Sequence, residues 1–67
     1  MTFSENIIQL RTQRGLKQSD IAKAIGVTVR AYQAYEYGKS EPRMAVLIRL
    51  ADFYNLSLDE LVCRNAK

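Results

Sequence analysis

Cationic side chains able to bind phosphate are concentrated in the first two thirds of this 67-residue chain. Residues 1–43 carry seven Lys or Arg and four Asp or Glu, whereas residues 44–67 carry three of each sign. The net charge of +3 therefore comes entirely from the first segment. Such an excess can hold an anionic partner, although small domains also carry solvated surface cations that bind nothing. The excess becomes informative only if one element of the fold presents it.

Groups that could support catalysis or hold a metal ion are scarce. The chain has no His and a single cysteine, Cys63, so neither a zinc ligand set nor an intrachain disulfide can be assembled. The nearest acidic pair, Asp59 and Glu60, is explained by the capping of a helix, and there is no Gly-rich phosphate loop. We therefore expect no enzyme, no metal, no cofactor and no small-molecule substrate.

The same composition bears on the compartment. A lone cysteine fits a reducing cytoplasm. The first residues lack the basic start and apolar centre of a signal peptide, and no apolar run approaches the ~18 residues of a membrane span. A cytoplasmic protein without a membrane partner is expected.

Capping residues and apolar spacing predict five helices and no strand, in one all-α domain covering residues 1–67. The first helix follows a capping box formed by Thr2 and Glu5 and ends at Gly15. The others are expected at about residues 18–25, from the cap Thr28 to Gly38, from residue 43 or 44 to 54, and briefly after Ser57. Residues 64–67 are expected to fray.

The apolar faces of these helices are expected to form one core. The second helix turns Ile21, Ala22 and Ile25 inward. The fourth has an apolar stripe at three-and-four spacing, made of Met44, Leu47, Leu50, Ala51 and Tyr54. Helical spacing also favours core positions for Tyr32, Tyr35 and Tyr54 over a platform for stacking on single-stranded bases.

Helices two and three are short and are joined by a turn that contains Gly26. Two such helices form a helix-turn-helix, whose usual ligand is DNA. The second of them carries Arg30 near its start, and the surrounding segment holds the cationic excess. DNA binding is the function that this arrangement predicts.

Over residues 5–62 the chain resembles the Cro and phage-repressor type of helix-turn-helix domain, also called the xenobiotic-response-element family. The resemblance rests on the joint order of Arg11, Gly15-Leu-Lys-Gln18, Ile21-Ala22, Gly26-Val-Thr28, Glu36-Tyr-Gly-Lys39, Pro42 and Leu56-Ser-Leu-Asp-Glu-Leu61. It implies a compact, lambda-repressor-like five-helix domain whose third helix enters the major groove of DNA.

The resemblance also implies which side chains contact the bases, namely Val29, Arg30, Gln33 and Ala34. Arg30 could pair with guanine through two hydrogen bonds and Gln33 with adenine in the same way. The two apolar members could lie against a thymine methyl group. Because Val29 and Ala34 stand where many relatives are polar, part of the selectivity is expected to come from DNA shape.

Other matched positions imply contacts that hold the DNA backbone or the fold. Gln18 is implied to contact a phosphate through the N-terminus of helix two. Further phosphate contacts are expected from Lys17, Thr28, Tyr37, Lys39 and Arg43. Lys17 departs from the family, which usually has Ser or Thr as the cap here. Arg11 and Glu36 match a pair that forms a partly buried ion pair between helix one and the end of the reading helix.

The C-terminal region carries more apolar side chains than a small domain can hide, which predicts a two-fold interface made by Phe53, Leu58, Leu61 and Val62. The expected function is therefore a bacterial or phage-encoded transcriptional regulator, a repressor that binds a pseudo-palindromic operator in double-stranded DNA as a homodimer. An antitoxin or a protein-binding adaptor remains the alternative, because the same fold can serve such roles.

Overall fold

A computed structural model describes residues 1–63, and the expectation that residues 64–67 fray lies outside these described residues. Within residues 1–63 the chain forms five helices and no strand, which confirms the predicted all-α class. The helices are α1 (Phe3–Gln13), α2 (Gln18–Ile25), α3 (Val29–Glu36), α4 (Met44–Tyr54) and α5 (Leu58–Leu61). None of the helices in this part of the chain is long and apolar enough to cross a bilayer.

Side-chain caps set the starts of α1 and α5. The Thr2 hydroxyl accepts a hydrogen bond from the Glu5 backbone N–H at 3.1 Å, and the Glu5 carboxylate accepts one from the Thr2 N–H at 2.8 Å. Ser57 and Glu60 form the same reciprocal pair, at 3.1 and 2.9 Å. These hydrogen bonds lower the pKa of both carboxyl groups, because they favour the charged form. The predicted capping boxes are therefore present.

The core joins all five helices. Its fully buried side chains are Ile7, Ile21, Ile25, Tyr32, Leu50 and Leu61. The expected inward face of α2 is confirmed, since Ala22 is also buried. On α4 the expected stripe is partly wrong: Met44 is 60% exposed, and Val46 is buried in its place. Met44 is the first residue of α4.

Candidate nucleic-acid interface

The turn between α2 and α3 is fixed by its own hydrogen bonds. Gly26 ends α2 in the left-handed region, with φ of 74°, which favours glycine. The Val27 N–H then donates to the Ala22 carbonyl at 3.0 Å. Thr28 begins α3 as predicted, with its hydroxyl accepting from the Ala31 N–H at 3.1 Å. These contacts set the direction in which α3 leaves α2.

The four side chains expected to contact bases differ in exposure. Val29 is 40% exposed and Arg30 is exposed, so both project from the first turn of α3. Within residues 1–63 the Arg30 guanidinium makes no hydrogen bond or ion pair. Gln33 and Ala34 are half-buried. The first turn of α3 therefore presents an apolar side chain next to a free cation, and the second turn lies closer to the body of the domain.

The expected ion pair between α1 and the end of α3 is present. Arg11 Nε donates to Glu36 Oε2 at 2.7 Å, and its terminal nitrogen donates to Glu36 Oε1 at 3.2 Å. The side chains are 16% and 2% exposed respectively. A third donor from Arg11 reaches the Leu16 carbonyl at 3.0 Å, in the loop before α2. One guanidinium thus joins α1, the following loop and α3.

Gln18 extends this ion pair into a chain of side-chain hydrogen bonds. Its amide nitrogen donates to Glu36 Oε1 at 2.9 Å, and its amide oxygen accepts from Gln33 Nε2, also at 2.9 Å. The side chain of Gln18 thus bridges the start of α2 and the end of α3. The phosphate contact that the resemblance implies for Gln18, through the N-terminus of α2, stays a prediction and uses its backbone N–H at the first position of α2.

The charge on Glu36 is stabilised despite its burial. Burial alone would raise the pKa of this carboxyl. The hydrogen bonds from Arg11 and Gln18, together with the polar hydroxyl of Tyr32 close by, outweigh burial and lower the pKa. Glu36 is therefore an anion near neutral pH, and the chain of hydrogen bonds is anchored on a fixed charge.

Two buried tyrosines border the ion pair. Burial raises the pKa of Tyr32, and the Glu36 carboxylate raises it further. Burial also raises the pKa of Tyr54 to about 12. Neither hydroxyl has a partner within hydrogen-bonding geometry in the part of the chain that the structure describes. Both rings lie in the core, as their spacing predicted.

The remaining residues expected to contact phosphate lie around the helix-turn-helix. Lys17, Thr28, Tyr37, Lys39 and Arg43 are all exposed. The loop after α3 is held in place, because the Lys39 N–H donates to the Ala34 carbonyl at 2.9 Å. At the start of α2 the Lys17 side chain makes no capping hydrogen bond, and the Asp20 carboxylate accepts from the Lys17 N–H at 2.8 Å instead.

The predicted dimer surface is only partly available. Leu61 is fully buried in the core, so its inclusion was wrong: helix α5 turns this side chain inward against the rest of the domain. Phe53 and Leu58 are 42% and 37% exposed, and Val62 is half-buried. Ile48 is also exposed, at 45%, and lies one turn after the exposed Met44 on α4.

Two further arginines hold the fold, a role that their sequence positions did not indicate. Arg49 on α4 donates to the Ile25 carbonyl at 3.1 Å and so caps the C-terminal end of α2. Arg14 lies over the Tyr54 ring, with its guanidinium carbon 4.8 Å from the ring centroid. Both contacts join residues that are far apart along the chain, so no local pattern could have revealed them.

Comparison with known proteins agrees with this geometry. A family model described as helix-turn-helix matches residues 7–61. The transcriptional repressor RstR of the cryptic phage CTXphi, from Vibrio cholerae, is 42% identical over 60 residues, which are 90% of this chain and 54% of the relative. The uncharacterized HTH-type transcriptional regulator YqaE of Bacillus subtilis strain 168 has the same identity over 60 residues, which are 90% of this chain and 52% of the relative.

A solved structure is also similar. The crystal structure of a transcriptional regulator from Listeria innocua superposes with a TM-score of 0.93 at 38% identity and covers 98% of this chain and 62% of that one. The chain spans about half the length of the curated relatives that it matches. With its helix-turn-helix geometry and these similarities, the chain belongs to the helix-turn-helix family of the Cro and phage-repressor type, a non-enzymatic family of DNA-binding transcriptional regulators.

Proposed function

We propose that this chain is a sequence-specific DNA-binding domain, residues 1–67, of a repressor that acts as a homodimer on a pseudo-palindromic operator. The observation that carries the proposal is the first turn of α3. It exposes Val29 and Arg30 on a helix whose direction is fixed by the Gly26 turn and by the buried ion pair of Arg11. A rigid helix with an exposed cation at its N-terminal end suits entry into the major groove.

Base contacts follow from the exposure of the side chains. Arg30 is assigned to a guanine, because a guanidinium can donate to O6 and N7 together. Val29 is assigned to a thymine methyl group, since it is apolar and exposed beside Arg30. Gln33 and Ala34, which are half-buried one turn later, are assigned to the bases nearest the body of the domain.

Phosphate contacts flank these positions. The free backbone N–H at Gln18 is assigned to a phosphate at the N-terminus of α2. The exposed residues Lys17, Thr28, Tyr37, Lys39 and Arg43 are assigned to the DNA backbone on either side. Such contacts position the domain and account for most of the salt-dependent affinity.

A homodimer is proposed from the exposed apolar side chains at the C-terminal end. Phe53, Leu58 and the half-buried Val62 would contribute to the two-fold contact. Two α3 helices in one dimer would then enter successive major grooves about 34 Å apart, one turn of the duplex. Repression would follow from occupancy of a promoter in the cytoplasm. The similarity to a named phage repressor supports this direction of control.

Selection of bound duplexes from a random pool tests the proposal. We expect one motif with two inverted half-sites whose centres are one helical turn apart. On the selected duplex, the logarithm of the affinity should fall linearly as the logarithm of the salt concentration rises. A chain that selects no motif and shows no duplex-specific shift would refute DNA recognition and would favour the antitoxin or adaptor role.

Arg30→Ala tests the base contact within that experiment. It should weaken the selected site by about 1–3 kcal/mol and spare non-specific duplexes. Lys23→Ala is the matched control, because Lys23 is also an exposed cation of the helix-turn-helix but is not assigned to a base. Equal losses on all duplexes for Arg30→Ala would reduce Arg30 to a phosphate contact.

A further inference from the structure

An open groove lies between the start of α1 and the loop of residues 38–42 that follows α3. Its volume is about 350 Å³. Four parts of the chain line it, namely the start of α1, this loop, α4 and the residue after α5. Because these parts are far apart along the sequence, no local pattern could have predicted the groove. A concave site of this volume can hold a small organic molecule.

The wall of the groove is more apolar than polar. It includes the side chains of Phe3, Pro42, Leu47 and Val62, all of which are half-buried in the free chain. Their remaining apolar surface is in contact with water. A ligand with an apolar body would gain free energy by covering this surface.

Glu41 gives the groove a charge. It is the only charged side chain among the described residues that line the groove, and it is exposed. Within residues 1–63 its carboxylate makes no hydrogen bond or ion pair. An ionised carboxylate can only accept hydrogen bonds, so the complementary group on a ligand is a cationic donor such as an ammonium.

The N-terminus of α1 also borders the groove and by itself would favour an anion. This end of the helix already has a negative partner, because the Glu5 carboxylate accepts from the Thr2 N–H at 2.8 Å. The helix end carries only about half a unit charge, whereas Glu41 carries a full one. The two effects together favour a cation.

We propose that this groove binds a small amphiphilic cation, a primary amine joined to an apolar body, and that the bound amine strengthens DNA binding. The amine would pair with Glu41, and its apolar body would cover the side chains of Phe3, Leu47 and Val62. The effect on DNA rests on the proposed function. Binding of the amine does not, because it requires only the groove.

The loop that lines the groove connects the amine to the DNA. Glu41 lies between Lys39 and Arg43, which are both assigned to the DNA backbone, so its negative charge opposes the nearby phosphates. An ammonium paired with Glu41 removes this repulsion. The wall opposite the loop is held in place, because the Ser4 hydroxyl donates to the Tyr35 carbonyl at 2.8 Å. The groove is therefore formed before a ligand enters.

Phenethylamine, an ammonium ion at pH 7, is the probe for binding to the full chain without DNA. NMR spectra of the methyl groups of Leu47 and Val62 follow its titration. We expect saturable shifts with a Kd of about 1 mM, as is ordinary for a ligand of nine heavy atoms. Phenethyl alcohol should bind about two- to fivefold more weakly, the contribution of one exposed ion pair. Ethylamine, which lacks the apolar body, should not shift these methyl groups.

Glu41→Gln tests the charge and keeps the size of the side chain. It should bind phenethylamine and phenethyl alcohol equally. Asp52→Asn is the matched control, because Asp52 is an exposed acid of α4 that does not line the groove, and it should keep the preference for the amine. Thermal unfolding curves check that both variants are folded.

The DNA measurement uses the selected operator at low salt. Phenethylamine should raise the affinity for DNA by about two- to threefold, the size of one charge acting at roughly 8 Å through water. By reciprocity, the operator should raise the affinity for phenethylamine by the same factor. Glu41→Gln should bind DNA more tightly than the natural protein by a similar factor and should no longer respond to the amine. Ethylamine at the same concentration controls for ionic strength.

Several results would overturn the proposal. No saturable shift up to about 20 mM phenethylamine would exclude the site. Phenylpropionate binding as tightly as the amine would show that the N-terminus of α1 sets the charge preference. Methyl shifts of Leu47 and Val62 that follow protein dilution would show that a second copy covers the groove. Amine binding that leaves the DNA affinity unchanged would refute the coupling, whereas absence of a selected operator would refute the proposed function and leave the binding result standing.

Discussion

Replacement of Arg11 by Met tests the energetics of the buried ion pair. The substitution keeps much of the apolar stem of the side chain and removes the guanidinium. Glu36 then loses two of its three side-chain hydrogen bonds and keeps only the one from Gln18 at 2.9 Å. With a side chain that is 2% exposed, its charge can recover little hydration from water. The variant therefore leaves a buried and poorly compensated carboxylate.

The expected loss is about 3–5 kcal/mol, the range for removing one partner of a buried pair. We expect the lower end, because the Arg11 side chain is 16% exposed and the pair is not fully dry. A loss of about 3 kcal/mol should lower the Tm of a domain of this size by about 12–24 °C. The whole domain is expected to have a stability of only roughly 3–10 kcal/mol. Thermal unfolding followed by circular dichroism at pH 7 measures this difference.

The pH dependence of the stability gives a sharper check, because the effect of ionising Glu36 on stability should change sign in the variant. In the natural protein the pKa of Glu36 is lowered on folding, so its contribution is complete above the unfolded value of 4.5 and is lost as the pH falls below it. Without Arg11, burial should dominate and raise the folded pKa above 4.5. Protonation of Glu36 would then stabilise the variant, so the difference in Tm between the two proteins should shrink from pH 7 to pH 5.

Arg14→Met is the matched control, since it removes a cation of the same helical segment that contacts the Tyr54 ring. This exposed cation–π contact should contribute about 0.5–1 kcal/mol, and its loss should not depend on pH in the same range. If Arg11→Met and Arg14→Met lost equal stability, or if the Arg11→Met difference did not shrink on acidification, the buried-charge explanation would be wrong.

Three smaller changes test other contacts. Thr28→Ala removes the cap of α3 and should lower the free energy of unfolding, measured by urea titration, by about 1 kcal/mol. Thr28→Ser keeps the hydroxyl and should be close to the natural protein. If both variants lost the same stability, the hydroxyl would not be the cause. Gly26→Ala places a Cβ at φ of 74° and 3.3 Å from the Arg49 guanidinium, so it should cost about 1–2 kcal/mol in the same titration, and a neutral result would contradict the left-handed turn. Tyr54→Phe removes a buried hydroxyl that has no hydrogen-bond partner within residues 1–63, so it should change the Tm by no more than a few degrees, whereas a large loss would reveal a hydrogen bond.

Local signals in the sequence predicted the fold well. The caps Thr2, Thr28 and Ser57 and the left-handed residue Gly26 fix helix ends through contacts within a few residues. These contacts do not depend on the rest of the fold. The sequence therefore contains the signals that place the ends of the helices.

Side-chain partners at long range could not be predicted in the same way. Gln33 and Gln18 are 15 residues apart, and only the packing of α3 against α2 brings their amides to 2.9 Å. Spacing alone also predicted Met44 in the core, and this was wrong. Periodicity shows which face of a helix is apolar but does not show where the neighbouring helices end. The exposed position of Arg30 could be predicted because it depends on one helix and its cap. The hydrogen bonds of the Gln18 side chain depend on how three helices pack together, so they could not be predicted.

The location of the DNA-binding surface can be measured by NMR, with the selected operator added to the isotopically labelled chain. We expect the largest amide shifts at residues 28–34 and at the N-terminus of α2. Their size should decrease at high salt, and a shuffled duplex should produce smaller shifts at Val29 and Arg30. Shifts confined to the region of Phe53 and Leu58, with α3 unperturbed, would contradict recognition of DNA by α3.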